Sequence, residues 1–322
     1  MHGRLPFFLC AVVGGCGAEG VPVAASNHAL VAENGVHLNG VHLNGVHLNG
    51  VHLNGVHLNG VHLNGVHLNG VHLNGVHLNG SLLVGVAEDG AVLSGEGFVG
   101  AALEGQLDTG DTLPLRIDAV SFADNDERDP VSYLVSYKAA GEADWQPICA
   151  DREGTPLMAF AAPGVWSYEE GVPGGGAHTD SETLFTFACI DGAIGKCIDF
   201  GYKPWGSVDL CDQQSCWPIS LAPFHQACTR LLRADYCGDG RSHTTDGRLV
   251  NLYDDAGVEG DTRHWRFEAE WSADGAVCVD HRRDTDDPAP SCLGALTRAS
   301  CGAHRQNFPD GTLLMSEYGP SP

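Results

Sequence analysis

Apolar and polar residues alternate in short runs along most of this chain, and the tightest run repeats every five residues. From Val36 to Gly80 the sequence reads Val-His-Leu-Asn-Gly nine times without a change. Gly holds every fifth position from Gly35 to Gly110, sixteen times in all. A beat of five fits neither the helical period of about 3.6 nor a long alternating strand. Gly at each fifth place would cost a helix roughly 1 kcal/mol per glycine. Within a pentad, Val-His-Leu alternates apolar, polar, apolar, which is strand logic. Asn-Gly then supplies a turn, because both residues tolerate positive φ. Three extended residues are too few for an isolated hairpin. Stacking short bridges into a coil lets each turn bury its Val and Leu against the next. Val and Leu are therefore expected to face inward and His outward.

Beyond Asp111 the pattern lengthens. Leu113 to Phe122, Ser132 to Ala139, Trp145 to Cys149, Leu184 to Cys189 and Lys196 to Tyr202 read as strands. Pro163 to His178 is rich in Gly and Pro and reads as a loop. Ser220 to Ala234 reads as a helix. Pro223 sits in its first turn, and Leu221, Phe224, Cys228, Leu231 and Leu232 share one face. Arg248 to Tyr253, His264 to Trp271 and Ala276 to Asp280 return to strands. The predicted domain is α+β, mostly β, with one main helix.

The pentads resemble the pentapeptide-repeat family. Val36-His37-Leu38-Asn39-Gly40 matches that family's pattern at all five places. The resemblance implies a right-handed, four-sided β-helix over Val31 to Gly110, one pentad per side. Glu33, Glu88 and Asp108 stand where the pattern has Leu, so the end pentads are expected to be distorted or to act as caps. Leu83, Leu93, Phe98 and Leu103 keep the beat between them.

The chain opens with Arg4 and a short apolar run, Leu5 to Val13, too short to span a bilayer. Val13-Gly14-Gly15-Cys16 resembles a bacterial lipoprotein lipobox. The resemblance implies a signal peptide over residues 1–15, cleavage before Cys16 and a lipid on Cys16, which would anchor the chain to an outer membrane or cell surface. Residues 16–30 are small and polar and read as a tether.

Charge and cysteine content narrow the function. The net charge is −24 over 322 residues, which argues against binding a phosphate backbone. The excess sits downstream, with 34 Asp and Glu against 16 Lys and Arg in residues 111–322. Ten cysteines follow the repeats: Cys149, Cys189, Cys197, Cys211, Cys216, Cys228, Cys237, Cys278, Cys292 and Cys301. An even number behind an export signal reads as disulfides, with zinc at Cys211 and Cys216 as the rival. Spacing does not give the pairing.

At the end of the predicted helix the chain reads Arg233-Ala234-Asp235-Tyr236-Cys237-Gly238-Asp239-Gly240. This resembles the ADYC domain of bacterial exported proteins. Phe187-Ala188-Cys189, Gly201-Tyr202-Lys203-Pro204-Trp205, His225-Gln226-Ala227-Cys228, His243-Thr244 and Asp246-Gly247 support the match. The resemblance covers residues 111–305, leaves 306–322 as a tail, and implies no activity.

Candidate chemistry is sparse. There is no Gly-x-Ser-x-Gly elbow, His-Glu-x-x-His motif or phosphate loop. His178 and His243, each followed by an Asp (Asp180, Asp246), lie in predicted loops that could meet as a metal site, and where these residues lie relative to His225 and Asp235 decides the enzyme reading. Cys237 with His243 and Asp235 could form a thiol nucleophile, against which stands a disulfide. Asp284, Asp286 and Asp287 could hold calcium but lack the EF-hand spacing. Trp205, Trp217, Trp265 and Trp271 could line a sugar-binding face or fill a core. Nine of the seventeen His, His37 through His77, lie in the repeats as a conceivable metal ladder or as plain outward positions. The expectation is a non-enzymatic surface lipoprotein with no cofactor or bound metal. Its solenoid acts as a spacer, and its disulfide-rich domain meets an extracellular protein or glycan, not nucleic acid. The alternative is an extracellular metal-dependent hydrolase built on His178, Asp235, His243 and Asp246.

Overall fold

The computed structural model describes residues 32–34, 68–72, 76–86, 91–107, 111–125, 128–211, 215–285, 288–298, 300–303 and 308–319. The lipobox, the tether and the pentads from 35 to 67 lie outside these residues, as do Glu88, Asp108, Asp286 and Asp287.

The first half of the described chain is strand apart from one 3-10 turn at Gly95–Phe98: β1 (Ala32–Asn34), β2 (Leu68–His72), β3 (Val76–Asn79), β4 (Leu82–Val86), β5 (Val92–Ser94), β6 (Ala102–Leu107), β7 (Thr112–Phe122) and β8 (Val131–Tyr137). After these come β9 (Gln146–Pro147), β10 (Ala159–Pro163), β11 (Val165–Trp166), β12 (His178–Thr179) and β13 (Leu184–Cys189). The largest sheet runs β10-β13-β2-β6-β7-β8-β9, every pairing antiparallel. β10 also pairs with β8 through Ala159↔Tyr133 and Phe160↔Ser132. That second pairing closes the sheet into a six-strand barrel with β9 appended. Leu115, Ile117, Tyr133, Val135, Phe185 and Phe187 fill it, all at most 3% exposed.

The pentads nearest this barrel do not coil. Val76–Asn79 and Leu82–Val86 form an antiparallel hairpin, and β5 adds a third antiparallel strand. The solenoid expected to reach Gly110 is therefore replaced by hairpins over the described residues 76–107. The two-residue loop is the reason: Gly80 adopts φ 63, and Ser81 returns the chain on itself. The inside–outside assignment holds for the pentad of Val76 to Gly80 and fails at Val86, which is 63% exposed. Val76 and Leu78 pack on the barrel core and His77 is exposed. Leu83, Phe98 and Leu103 keep the five-residue beat and are buried at 0, 2 and 9% exposure.

Ser81 is the first residue to break the repeat, and it is fully buried. Its hydroxyl donates to Asp129 Oδ1 at 3.1 Å and accepts from the Val131 amide at 2.6 Å. Tyr133 completes the clasp: its hydroxyl donates to Ser81 O at 3.1 Å and accepts from the Leu83 amide at 2.8 Å. Burial pushes the Tyr133 hydroxyl up to about 12.

The second half mixes helix and strand: α1 (Ala193–Asp199), β14 (Ser207–Cys211), β15 (Cys216–Ser220), α2 (Ala222–Arg233), β16 (Arg248–Asp254), β17 (Arg266–Ser272), β18 (Gly275–Val279), α3 (Leu293–Leu296) and β19 (Leu314–Tyr318). A five-strand antiparallel sheet runs β1-β16-β19-β17-β18. Helix α2 packs on it through Ala227, Cys228, Leu231 and Leu232 against Val250, Leu252, Ala269 and Trp271.

Several sequence expectations change here. Lys196 to Tyr202, read as a strand, is mostly helix α1. Ala193, Ile194, Cys197 and Ile198 are buried, at the spacing of one helical face. The segment 306–322, read as a tail, supplies β19, which sits between β16 and β17 at the middle of the sheet. Asn34, in the outermost predicted pentad, pairs with Arg248 through β1. Pro163 to His178 is not wholly loop, because β11 and β12 pair within it.

All ten downstream cysteines are bridged: Cys149–Cys189, Cys197–Cys228, Cys211–Cys216, Cys237–Cys292 and Cys278–Cys301. The zinc alternative at Cys211 and Cys216 and the thiol alternative at Cys237 therefore give way to disulfides.

Candidate functional site

The loops singled out in the sequence hang from the C-terminal end of α2. The helix stops because Ala234 turns left-handed, at φ 52 and ψ 38, so Cβ of a fully buried residue is held in a conformation that usually favours Gly. Asp235 then folds its side chain under the next turn. Its Oδ1 accepts from the Asp239 amide at 3.0 Å and its Oδ2 from the Gly240 amide at 3.0 Å. Oδ2 also meets Arg230 Nη1 at 2.5 Å. Gly238 is required at φ 64, since a Cβ there would come within 1.8 Å of Asp274 O.

Tyr236 and Cys237 tie this turn to the sheet. The Tyr236 ring stacks on Trp271, with centroids 5.3 Å apart and 22° between planes. Its hydroxyl donates to Glu268 Oε1 at 2.7 Å. Burial first, and then the neighbouring Glu268 charge, hold that hydroxyl far above the usual tyrosine range. Cys237 bridges to Cys292. Each of the four residues from Ala234 to Cys237 thus has a structural task.

Beneath the turn lies a closed polar network. Arg283 Nε donates to Glu268 Oε1 and Arg283 Nη2 to Glu268 Oε2, both at 2.6 Å, and neither side chain is exposed. Arg283 also donates to Leu231 O at 2.7 Å and Leu232 O at 3.4 Å, which satisfies carbonyls at the end of α2. Ser316 Oγ donates to Glu268 Oε2 at 2.8 Å and accepts from Trp271 Nε1 at 2.8 Å. A buried ion pair with every lone pair engaged fixes one arrangement of helix against sheet.

The first predicted loop is held by the same helix. Gln226 Nε2 donates to Gly176 O at 3.0 Å, and Arg230 Nη1 donates to Gly175 O. Trp166 Nε1 donates to Gln226 Oε1 at 3.1 Å. The Trp166 ring contacts two imidazoles, 4.5 Å from His178 and 5.7 Å from His225. His178 Nε2 donates to Pro163 O at 2.9 Å, and His225 Nε2 donates to Ile194 O at 3.0 Å. Burial lowers the His225 imidazole to about 4, so it is neutral at physiological pH.

The second loop carries His243 and Asp246. The His243 amide donates to Arg233 O at 3.0 Å, and its ring lies 6.1 Å from Tyr236. Asp246 pairs with Arg152 on the surface. Asp246 and Asp151 share a field with Asp191, whose Oδ1 is buried and has no hydrogen-bond partner. Burial first, then these two carboxylates, raise Asp191 to about 6 against the pull of Lys196.

The predicted residues are therefore not one constellation. His178 and His225 contact Trp166; Asp235 serves Arg230 and two amides; His243 packs on Tyr236; Asp246 faces Arg152. Among the described residues, the group of three ligand-type side chains within reach of one another is Glu270, Cys278 and Cys301. Both cysteines there are joined in a disulfide, and Glu270 accepts from the Gly302 amide and Thr312. Of the aspartates proposed for calcium, Asp284 pairs with Arg248 at 3.8 Å. The tryptophans separate too: Trp271 is buried, Trp217 is 42% exposed on β15, and Trp205 Nε1 donates to Asp129 at 3.4 Å.

Two acidic groups escaped the sequence reading. Asp254 accepts from Tyr202 at 2.6 Å and from the Glu259 amide at 2.7 Å. Glu259 is 4% exposed, and burial plus the Asp254 charge raise it to about 7. Only the five-residue gap between two acids in a strand–loop segment hinted at this pairing.

An ADYC-domain family model matches residues 95–285, and a pentapeptide-repeat model matches residues 34–70 as eight copies. No curated protein and no solved structure matches the chain.

Proposed function

From the premise that this chain belongs to the ADYC-domain family and carries pentapeptide repeats, we propose that it is an exported, non-enzymatic binding module. The repeats act as a spacer, coiled as a four-sided β-solenoid upstream of the barrel. Cys16 carries the lipid that anchors the chain at a bacterial outer membrane or cell surface. The domain beyond the repeats meets an extracellular protein or glycan. One observation carries the non-enzymatic reading: the carboxylate of Asp235, one of the four predicted catalytic groups, is fully buried and spent on two backbone amides and on an ion pair. A catalytic group has to be free to exchange a proton or bind a ligand in a cleft. Five disulfides fit an oxidising compartment.

Two measurements on full-length protein test this reading. The wild type is expected to incorporate labelled fatty acid and sediment with membranes, and Cys16→Ser is expected to do neither. Metal analysis and hydrolase assays on the purified chain test the rest. Stoichiometric zinc, with an activity that His178→Ala abolishes at an unchanged melting temperature, would replace the binding module with an enzyme.

A further inference from the structure

The barrel contains one stave made of repeat sequence. β2 is Leu68-Asn69-Gly70-Val71-His72, and it lies between β6 and β13. It pairs with β6 through Leu68↔Leu107, Gly70↔Gln106 and Val71↔Gly105, with a bulge between Leu68 and Gly70. It pairs with β13 through Leu184↔His72 and Phe185↔Val71 alone. Without it β6 and β13 would both become open edges, each a row of unpaired amides and carbonyls.

This stave is weakly tied and not unique. It is five residues long with a glycine at its centre, and an interior Gly weakens a strand. The same five letters occur eight times between Leu38 and His77. Six of these copies, Leu38 to His67, precede β2 and match the slot residue for residue, whereas the last, Leu73 to His77, runs into β3. Register is poorly specified where a strand is Gly-rich and repeats itself, and such strands slip and swap. One slot per chain against seven equivalent segments, β2 included, leaves an excess of donors.

We propose that a pentad from a second copy of this chain can occupy the place of Leu68–His72, joining neighbouring molecules by strand exchange between β6 and β13. The partner is another molecule of the same protein, and recognition is main-chain pairing of Leu-Asn-Gly-Val-His, as in strand-addition complexes. The exchange rests on the slot and on sequence identity; a donated pentad leaves the coil proposed above, so coil and exchange compete for it. Anchored copies on one surface would meet at high effective concentration, which favours the exchange.

The test uses a 15-residue probe, a fluorescent peptide of three Val-His-Leu-Asn-Gly units, with a scrambled peptide of the same composition as control. It is titrated against the full chain and against a variant that lacks residues 36–65 and carries Val71→Pro. Proline cannot sit in a central strand, so the variant loses its own stave along with most of the spares. Binding is expected to be roughly tenfold or more tighter to the variant than to wild type, whose slot is already filled. The scrambled peptide is expected to bind neither. A folded variant that ignores the pentad peptide overturns the proposal. If the variant does not fold alone, the pentad peptide is expected to raise its refolding yield; an equal yield with the scrambled peptide also overturns it.

Discussion

Asp235 and Arg230 meet at 2.5 Å in a place where their side chains are 0% and 3% exposed. The pair joins the last turn of α2 to the loop that follows, and the same arginine reaches Gly175 O across the glycine-rich loop. Removing one member of such a pair strands the other charge without water. Asp235→Asn keeps the shape and drops the charge. It is expected to cost about 3 kcal/mol, the usual scale for a broken buried pair. Denaturant unfolding measures it. A loss within experimental error would mean that Arg230 is solvated in solution.

Ser81 makes a second, more local prediction. Ser81→Val would extend the repeat's own pattern by one residue, and a repeat-based view expects it to be neutral. The structure expects otherwise, because the Val131 amide would lose its acceptor in a buried position. The cost is about 2 kcal/mol for the unsatisfied amide. His77→Gln, at an exposed position in the adjoining strand, is expected to stay within about 0.5 kcal/mol. Thermal melting of the two variants side by side decides between the views.

What the sequence revealed depended on whether a signal was local. Helix α2 was legible because its apolar face, its early proline and its stop all lie within fourteen residues. Leu184 to Cys189 was legible as an apolar run bounded by polar residues. The ADYC letters were legible as a motif, while their tasks were not, since Glu268 and Trp271 stand more than thirty residues away. β19 was missed because its reason to be a strand is supplied by β16 and β17, far upstream. Helix α1 was missed because Ile194, Cys197 and Ile198 sit in a short stretch where strand and helix patterns overlap. The pentads gave inward and outward positions correctly at Val76, His77 and Leu78, but not at Val86. The pairing partner was decided by a two-residue turn that a five-residue beat cannot distinguish from a coil corner.

The disulfides differ in how much chain they close. Cys237–Cys292 spans 55 residues and Cys211–Cys216 spans 5. Loop-closure entropy predicts roughly 4 kcal/mol for the first and roughly 2 kcal/mol for the second. Cys237→Ser with Cys292→Ser is therefore expected to lower the unfolding midpoint clearly more than Cys211→Ser with Cys216→Ser. The larger loss has a second source, because the Cys237 bridge also pins the turn that carries Asp235. Equal losses would mean that the hairpin of β14 and β15 supports the α2 core more than its exposed tip implies.

Glu259 gives the chain a pH dependence whose sign can be worked out. Its carboxyl is raised from the ordinary 4.5 to about 7, by burial first and by Asp254 second. A raised acid binds its proton more tightly in the folded state than in the unfolded one. Folding is then unaffected by this group well below pH 4.5, loses stability as pH climbs from there to about 7, and stays at the reduced level above. Glu259→Gln removes the titration and keeps the backbone amide that Asp254 accepts from. The variant is expected to match wild type near pH 4 and to be more stable at pH 8, by on the order of 2 kcal/mol. His225 acts in the opposite direction, since a histidine lowered to about 4 costs stability as pH falls below its ordinary range. Comparing variant and wild type at each pH cancels that contribution and isolates Glu259. Melting curves at pH 4, 6 and 8 give the test. A variant less stable than wild type at pH 8 would show that Glu259 is ionised and held by a cationic partner rather than crowded by Asp254.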